Sequence, residues 1–137
     1  MLVFDIDDTI SPTDRDHQWT TPYETKLAWG FNVSIPTYVL EFLRSRDDIA
    51  FLSTWGKAAQ HLADAFGINA VILVMTEDQI GVSGKFDVVS NRDDITAWVD
   101  DHIKPAMATT LRERGITVIK PKGGHISEKD IEALGKL

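Results

Sequence analysis

The 137-residue chain contains no cysteine, which excludes disulfide bonds, thiolate metal sites and cysteine nucleophiles. It also lacks any apolar run that approaches the roughly 18 residues needed for a membrane-spanning helix. No charged or apolar leader precedes the first aspartate, which lies only four residues after Met1. We therefore expect a cytoplasmic protein with no membrane partner, folded as one domain over residues 1–137.

Basic residues are in deficit, because 14 Lys and Arg face 21 Asp and Glu and the net charge is −7. Proteins that bind nucleic acid non-specifically use clustered Lys and Arg to neutralise phosphates. The net charge therefore disfavours nucleic acid as a partner without excluding it.

The first ten residues carry the strongest chemical signal. An apolar run at 2–4 is followed by Asp5, Asp7, Asp8 and Thr9. Crowded carboxylates raise one another's pKa and favour a neighbouring cation, and hard oxygen ligands of this kind suit Mg²⁺. The same residues could instead form a polar turn that caps the next element.

Two later apolar runs also stop at polar residues. The run at 49–52 ends in Ser53, Thr54 and Trp55, and the run at 95–99 ends in Asp100 and Asp101. Parallel strands whose carboxyl ends form one site produce this pattern.

Strand and helix signals alternate along the chain, which predicts an α/β fold: a three-layer, Rossmann-like parallel sheet with helices on both faces. The predicted strands are 2–6, 49–53, 70–75, 95–99 and 116–120, and the predicted helices are 36–46, 57–66, 103–114 and 127–136. Right-handed crossovers would bring Asp5, Ser53 and Asp100 to one edge of the sheet.

The motifs Asp5-x-Asp7-x-Thr9, Ser53 and Asp100-Asp101, in this order, resemble the haloacid dehalogenase (HAD) superfamily, whose members are mostly phosphatases. The resemblance covers residues 1–103. The family places a lysine between the second and last of these motifs. Lys85 is the best positioned candidate and Lys57 is its competitor.

The resemblance implies a HAD-like fold without a cap domain. Residues 11–35, which show no clean periodicity, would form a flap made of a helical twist and a β-hairpin. The interval between Ser53 and Lys85 leaves no room for an inserted domain. Trp19, Tyr23 and Trp29 are candidates for a hydrophobic lid or a partner surface.

The resemblance also implies a role for each acidic residue. Asp5 would be the nucleophile, and Asp7 would act as general acid and then as general base. Mg²⁺ would be held by Asp5, by the main-chain carbonyl of Asp7 and by one acid of the Asp100-Asp101 pair. Asp100 is the expected direct ligand, and Asp101 would hold waters or a backbone amide. Asp8 would face away or cap.

The remaining positions would surround the phosphate. Ser53 would donate to a phosphoryl oxygen beside the main-chain N–H groups of Thr54 and Trp55. Lys85 would neutralise charge on the nucleophile and the phosphate together. Thr9, counted with the substrate site, would orient the Asp7 side chain.

Structural alternatives stay open for these residues. Asp100-Asp101 and Ser53 could simply cap helices. Lys85 could be an exposed loop lysine, and Trp55 could stack on a substrate ring or wall the pocket.

We expect a Mg²⁺-dependent phosphohydrolase that cleaves a phosphomonoester through an aspartyl-phosphate. The alternatives are a nucleic-acid end phosphatase that removes a 3′- or 5′-phosphate, and a non-catalytic binding module. With no cap, either a large phosphorylated substrate, such as a macromolecule, or an oligomer would cover the site.

Overall fold

The computed structural model describes residues 1–76 and 81–137. Five parallel strands form the central sheet: β1 (Leu2–Phe4), β4 (Ile49–Leu52), β5 (Ala70–Leu73), β6 (Ala97–Val99) and β7 (Thr117–Ile119). Five helices accompany it: α1 (Thr37–Arg44), α2 (Ala59–Phe66), α3 (Val82–Ser90), α4 (Pro105–Glu113) and α5 (Glu128–Leu134). A short 3₁₀ helix, Gly56–Ala58, leads into α2.

Helices cover both faces of the sheet, as the alternation of strand and helix signals predicted. On one face, Phe4 and Phe51 pack with buried residues of α1, α2 and α5. On the other, Val3 and Trp98 pack with buried residues of α3 and α4. Successive strand residues point to opposite faces, so strands this short must be apolar throughout when both faces are covered.

The strand order is β5-β4-β1-β6-β7. The chain moves outward from β1 to β4 and β5, then returns to place β6 on the other side of β1. This reversal puts the topological switch point between β1 and β6, where parallel α/β sheets bind ligands beyond their carboxyl ends. Phe4 pairs with Phe51 and Val99 in register. The residues that follow these strands are therefore neighbours.

An antiparallel hairpin lies outside this sheet. It occupies residues 23–36, which belong to the stretch 11–35 except for the last residue. Its strands are β2 (Tyr23–Ala28) and β3 (Phe31–Pro36), joined by the two residues Trp29 and Gly30. The β-hairpin expected in this stretch is thus present. Its inner side reaches the core through Ala28, Val33 and Ile35, which are buried.

The structure corrects some element boundaries. Strands and helices are one to three residues shorter at their ends than predicted, and α1 begins after Pro36 instead of at it. The predicted elements leave 76–94 without a helix, but α3 occupies Val82–Ser90 and carries Lys85. Residues 77–80 of this interval lie outside the described residues.

Two helix termini follow the sequence signals. Ser127 caps α5, with its hydroxyl accepting the Asp130 N–H at 3.1 Å, and Gly67 ends α2 with a left-handed backbone. Within residues 1–76 and 81–137, no helix has the length and apolar character to cross a membrane.

Candidate functional site

A tight loop after β1 turns the acidic motif toward the carboxyl edge of the sheet. The N–H groups of Thr9, Ile10 and Ser11 all point to the Ile6 carbonyl, at 3.2, 3.0 and 3.2 Å. Asp8 takes a positive φ of 58°. Aspartate tolerates this left-handed region better than most residues. The chain therefore turns after Asp7, which breaks the extended geometry that would send the side chains of Asp5 and Asp7 to opposite faces.

Asp8 itself faces away from the acidic group, as expected. Its carboxylate accepts the Thr13 N–H at 2.9 Å and the Thr13 hydroxyl at 2.8 Å. These bonds hold the segment that follows the motif.

Lys85 lies between two buried carboxylates. Its Nζ is 3.1 Å from Asp5 Oδ1 and 2.8 Å from Asp100 Oδ2. The side chains are almost completely enclosed, since Asp5 and Lys85 are 4% exposed and Asp100 is fully buried. A buried charge is tolerated when it is paired and hydrogen-bonded, so the three groups depend on one another.

Burial sets the electrostatics of this group. Burial, followed by the neighbouring charge of Asp100, raises the pKa of Asp5 from 3.8 to about 7, against the lowering effect of Lys85. Burial alone would lower the pKa of the Lys85 ammonium, but the carboxylates of Asp5 and Asp100 outweigh it and the pKa rises. The lysine therefore stays charged, and burial disfavours ionisation of the Asp5 carboxyl group.

Thr9 connects Asp5 to the second acid of the pair at the end of β6. Its Oγ1 lies 3.3 Å from both Asp5 Oδ2 and Asp101 Oδ1 and accepts the Asp101 N–H at 3.2 Å. The side chain of Thr9 is fully buried. It therefore positions Asp5 and Asp101, and the prediction that it orients Asp7 is not what these contacts show.

The two acids after β6 differ in their surroundings. Asp100 uses Oδ2 for Lys85 and Oδ1 to accept the His102 N–H at 2.9 Å. Asp101 is half-buried, and its Oδ2 lies 3.4 Å from Nε2 of the exposed His102. The backbone amide expected at Asp101 is thus held by Asp100, which caps the following turn as well as pairing with the lysine.

The residues that follow β4 are connected to the site by a hydrogen bond to Asp7. Ser53 is buried, and its Oγ accepts the Trp55 N–H at 3.2 Å in the turn after β4. The alternative that Ser53 caps a helix is wrong, because the 3₁₀ helix begins after Trp55 and no side chain caps it or α2. The Trp55 indole N–H donates to Asp7 Oδ1 at 3.2 Å. Asp7 and Trp55 therefore lie on the same open side of the buried acidic group.

A cavity of about 730 Å³ opens beside these residues. Asp7, Thr54 and Trp55 line it together with the tip of the hairpin. Its size is within the range of about 300–1,000 Å³ that is typical of small-molecule sites. Asp5 lies beneath this region, not on its surface, since it is almost fully enclosed.

The acidic group has the chemistry of a divalent cation site. One oxygen each from Asp5, Asp100 and Asp101 lie within 4.8 Å of one another. Three carboxylates and one ammonium leave an excess of two negative charges when all four are ionised. Hard oxygen ligands with this excess fit Mg²⁺, which binds through a few carboxylates at about 2.1 Å and retains waters.

The structure separates the two candidate lysines. Lys85 contacts Asp5 and Asp100, whereas Lys57 is exposed on the 3₁₀ helix and pairs with no acid of the described residues. The expectation that Lys85 could be an exposed loop residue is wrong, since it is buried on α3.

Sequence reasoning missed several residues that line the cavity: Arg15, Phe31 and Asn32. The signal available in the sequence was the aromatic content of residues 11–35. Trp29 was a candidate there for a hydrophobic lid or a partner surface. Trp19 and Tyr23, grouped with Trp29 in that expectation, stack on each other with ring centroids 4.0 Å apart, and neither lines this cavity.

The chain matches no protein-family model, no curated protein and no solved structure.

Proposed function

We propose that this protein is a phosphomonoester hydrolase of the HAD type, without a cap domain, that acts through an aspartyl-phosphate at Asp5. The observation that carries the proposal is the buried arrangement of Asp5, Lys85 and Asp100 at the switch point of the sheet. The exposed carboxylate of Asp7, two residues along the chain, lines the adjoining cavity.

The first chemical step would use the two aspartates of the loop after β1. A carboxylate oxygen of Asp5 attacks phosphorus and forms the acyl-phosphate bond, while the bond between phosphorus and the ester oxygen breaks. Asp7 gives its proton to the departing oxygen, which leaves as an alcohol. Asp7 suits this role because its side chain is exposed at the cavity and held at one oxygen by the Trp55 indole.

The second step would reverse the role of Asp7. Its carboxylate removes a proton from a water that attacks the aspartyl-phosphate, which releases inorganic phosphate and restores Asp5. Lys85 keeps a positive charge beside Asp5 throughout, and Ser53 has a hydroxyl proton to offer to a phosphoryl oxygen. Positioned charge and donors of this kind are the main contribution that a protein makes to phosphoryl transfer.

Mg²⁺ is the cofactor we propose, held by Asp5, Asp100 and Asp101 together with the main-chain carbonyl of Asp7. When bound, such an ion offsets negative charge on the phosphoryl oxygens and the carboxylates. The charge excess of the acidic group supports this assignment.

The test is a Mg²⁺-supplemented screen of phosphomonoesters, from p-nitrophenyl phosphate and sugar phosphates to nucleotides and phosphorylated oligonucleotides. Asp5→Asn preserves shape but removes the attacking charge, so we expect turnover to fall to background while folding survives. Asp8→Asn is the matched control, because Asn tolerates its backbone conformation and the Asp8 side chain bonds only to Thr13 among the residues that the structure describes. Substantial activity in Asp5→Asn would refute covalent catalysis at this residue.

A further inference from the structure

The hairpin tip places a bulky ring where a small residue fits better. Trp29 and Gly30 form its two-residue turn, with φ of 50° and 81°. Turns with two positive φ values favour Asn-Gly or Asp-Gly, because side chains larger than these are strained there. Strain retained at one residue motivates the hypothesis that its side chain has a function.

The ring of Trp29 belongs to an aromatic wall of the cavity, made of Trp29, Phe31 and Trp55. The three ring centroids are 6.1 to 6.2 Å apart in each pairing. Trp29 and Phe31 are both 58% exposed, although large aromatic side chains are buried for the most part in folded proteins. The wall therefore offers flat apolar faces to the cavity.

Polar groups share the cavity with the aromatic wall. Arg15, Thr13 and Asn32 line it, and within residues 1–76 and 81–137 the Arg15 guanidinium forms no hydrogen bond or ion pair. A free guanidinium is a donor set suited to anionic or hydroxyl oxygens. The cavity thus combines a stacking surface with hydrogen-bonding groups.

We propose that this cavity binds the nucleoside part of the substrate, so that the phosphomonoester hydrolysed is a nucleotide whose base stacks on Trp29 and Phe31. The inference rests on the proposed function and names its substrate class. Trp55 connects the two sites, because its ring closes the wall while its N–H holds Asp7. A base on the wall would therefore lie next to the acid that serves the leaving oxygen.

A nucleotide fits better than the two simpler classes of phosphomonoester. A sugar phosphate has no planar ring and would leave the exposed aromatic wall without a contact. A simple aryl phosphate such as phenyl phosphate has its ring directly on the ester oxygen and carries no further polar group that could bond to Arg15 and Asn32. A nucleoside has both a ring and a hydroxyl-bearing sugar, and every base offers a face for stacking.

The test compares a nucleotide with the sugar phosphate that lacks its base. kcat/KM is measured for adenosine 5′-monophosphate and for ribose 5-phosphate, with adenosine 3′-monophosphate and a 3′-phosphorylated oligonucleotide as further arms. Stacking of one base predicts a preference of about 5- to 150-fold for the better nucleotide over ribose 5-phosphate. In Trp29→Asn this ratio should fall toward one, while the melting temperature stays the same or rises, because Asn suits the turn.

Leu27→Ala is the matched control. Leu27 is 67% exposed on the same hairpin and does not line the cavity, so its removal should leave the ratio unchanged. Equal kcat/KM for nucleotide and sugar phosphate would overturn the proposal, as would a preference for phenyl phosphate measured in the same assay. A ratio that falls equally in Leu27→Ala would do so too.

A binding arm distinguishes failure of the inference from failure of the proposed function. Titration calorimetry measures adenosine 5′-monophosphate binding to the wild type and to Trp29→Asn without added Mg²⁺. Weaker binding in the variant supports the base site even if no phosphomonoester is turned over, in which case the hydrolase proposal alone fails. Turnover of phosphomonoesters with identical binding in both proteins rejects the base site and leaves the hydrolase proposal intact.

Discussion

The raised pKa of Asp5 leads to a prediction about stability in the absence of metal. In EDTA no metal ion offsets the charge of Asp5. Burial beside Asp100 then makes the folded state less stable when the Asp5 carboxyl group is ionised than when it is protonated. Asp5→Asn imitates the protonated form in shape and charge. We therefore expect the variant to unfold less readily than the wild type at alkaline pH.

The direction and size of the effect follow from linkage. Asp5 titrates near 3.8 when unfolded and at about 7 when folded, so between these values the folded chain holds a proton that the unfolded chain has lost. Stability therefore falls as pH rises through this window. At about 1.36 kcal/mol per pKa unit, the loss approaches about 4 kcal/mol above pH 7 and vanishes below pH 4.

The assay is urea unfolding of wild type and Asp5→Asn from pH 4 to pH 8.5, with EDTA present. The difference in free energy of unfolding between the two proteins cancels groups that the substitution does not touch. It should grow with pH in favour of the variant. Asp8→Asn, which changes a carboxylate bonded to Thr13 outside the buried group, should show no such growth.

A difference that stays constant across this pH range would refute the electrostatic reasoning. So would a wild type that is more stable than Asp5→Asn at pH 8 in EDTA. Addition of Mg²⁺ should reduce the advantage of the variant, because the wild type gains more from the cation.

Two further predictions concern the same buried group. Mg²⁺ at about 100 times its dissociation constant should stabilise the wild type by about 2.7 kcal/mol, or roughly 10 °C in thermal unfolding. Asp101→Asn should reduce this shift, whereas Asp93→Asn, at an exposed position outside the acidic group, should not. An equal shift in both variants would argue against the cation site. Lys85→Met leaves two buried carboxylates without their shared cation, so urea unfolding at pH 8 should show a loss of about 3–5 kcal/mol. Lys57→Met, at an exposed lysine, should change stability by less than about 0.5 kcal/mol, and similar losses in both variants would contradict the pairing.

Much of the fold could be predicted because local pattern and global rule agree. Apolar runs such as 49–52 are continuous, which is the signature of strands buried on both faces. Alternation with helical segments then requires a parallel sheet, and handedness brings the carboxyl ends together. That Asp5 and Asp100 lie at one edge of the sheet therefore followed from the order of elements along the chain, whereas the pairing of β1 with β6 came only from the structure.

The partners of the site residues did not follow in the same way. Lys85 lies in Gly84-Lys85-Phe86, where glycine before the lysine suggested a loop, yet helix α3 forms there and buries the lysine. Packing against the sheet and the two carboxylates override the weak local propensity. Thr9 likewise contacts Asp5 and Asp101 because the loop after β1 folds back on the Ile6 carbonyl.

The sequence by itself determined the acidic motif, the strands that carry it and the edge of the sheet at which it lies, because these depend on hydrophobic pattern and chain order. Only the tertiary structure decided which lysine pairs with Asp5 and which rings face the cavity. Trp29 belongs to a hairpin outside the central sheet, and Trp55 follows strand β4 of that sheet. Their proximity depends on how the hairpin packs against the rest of the chain, and no periodicity within either segment encodes that contact.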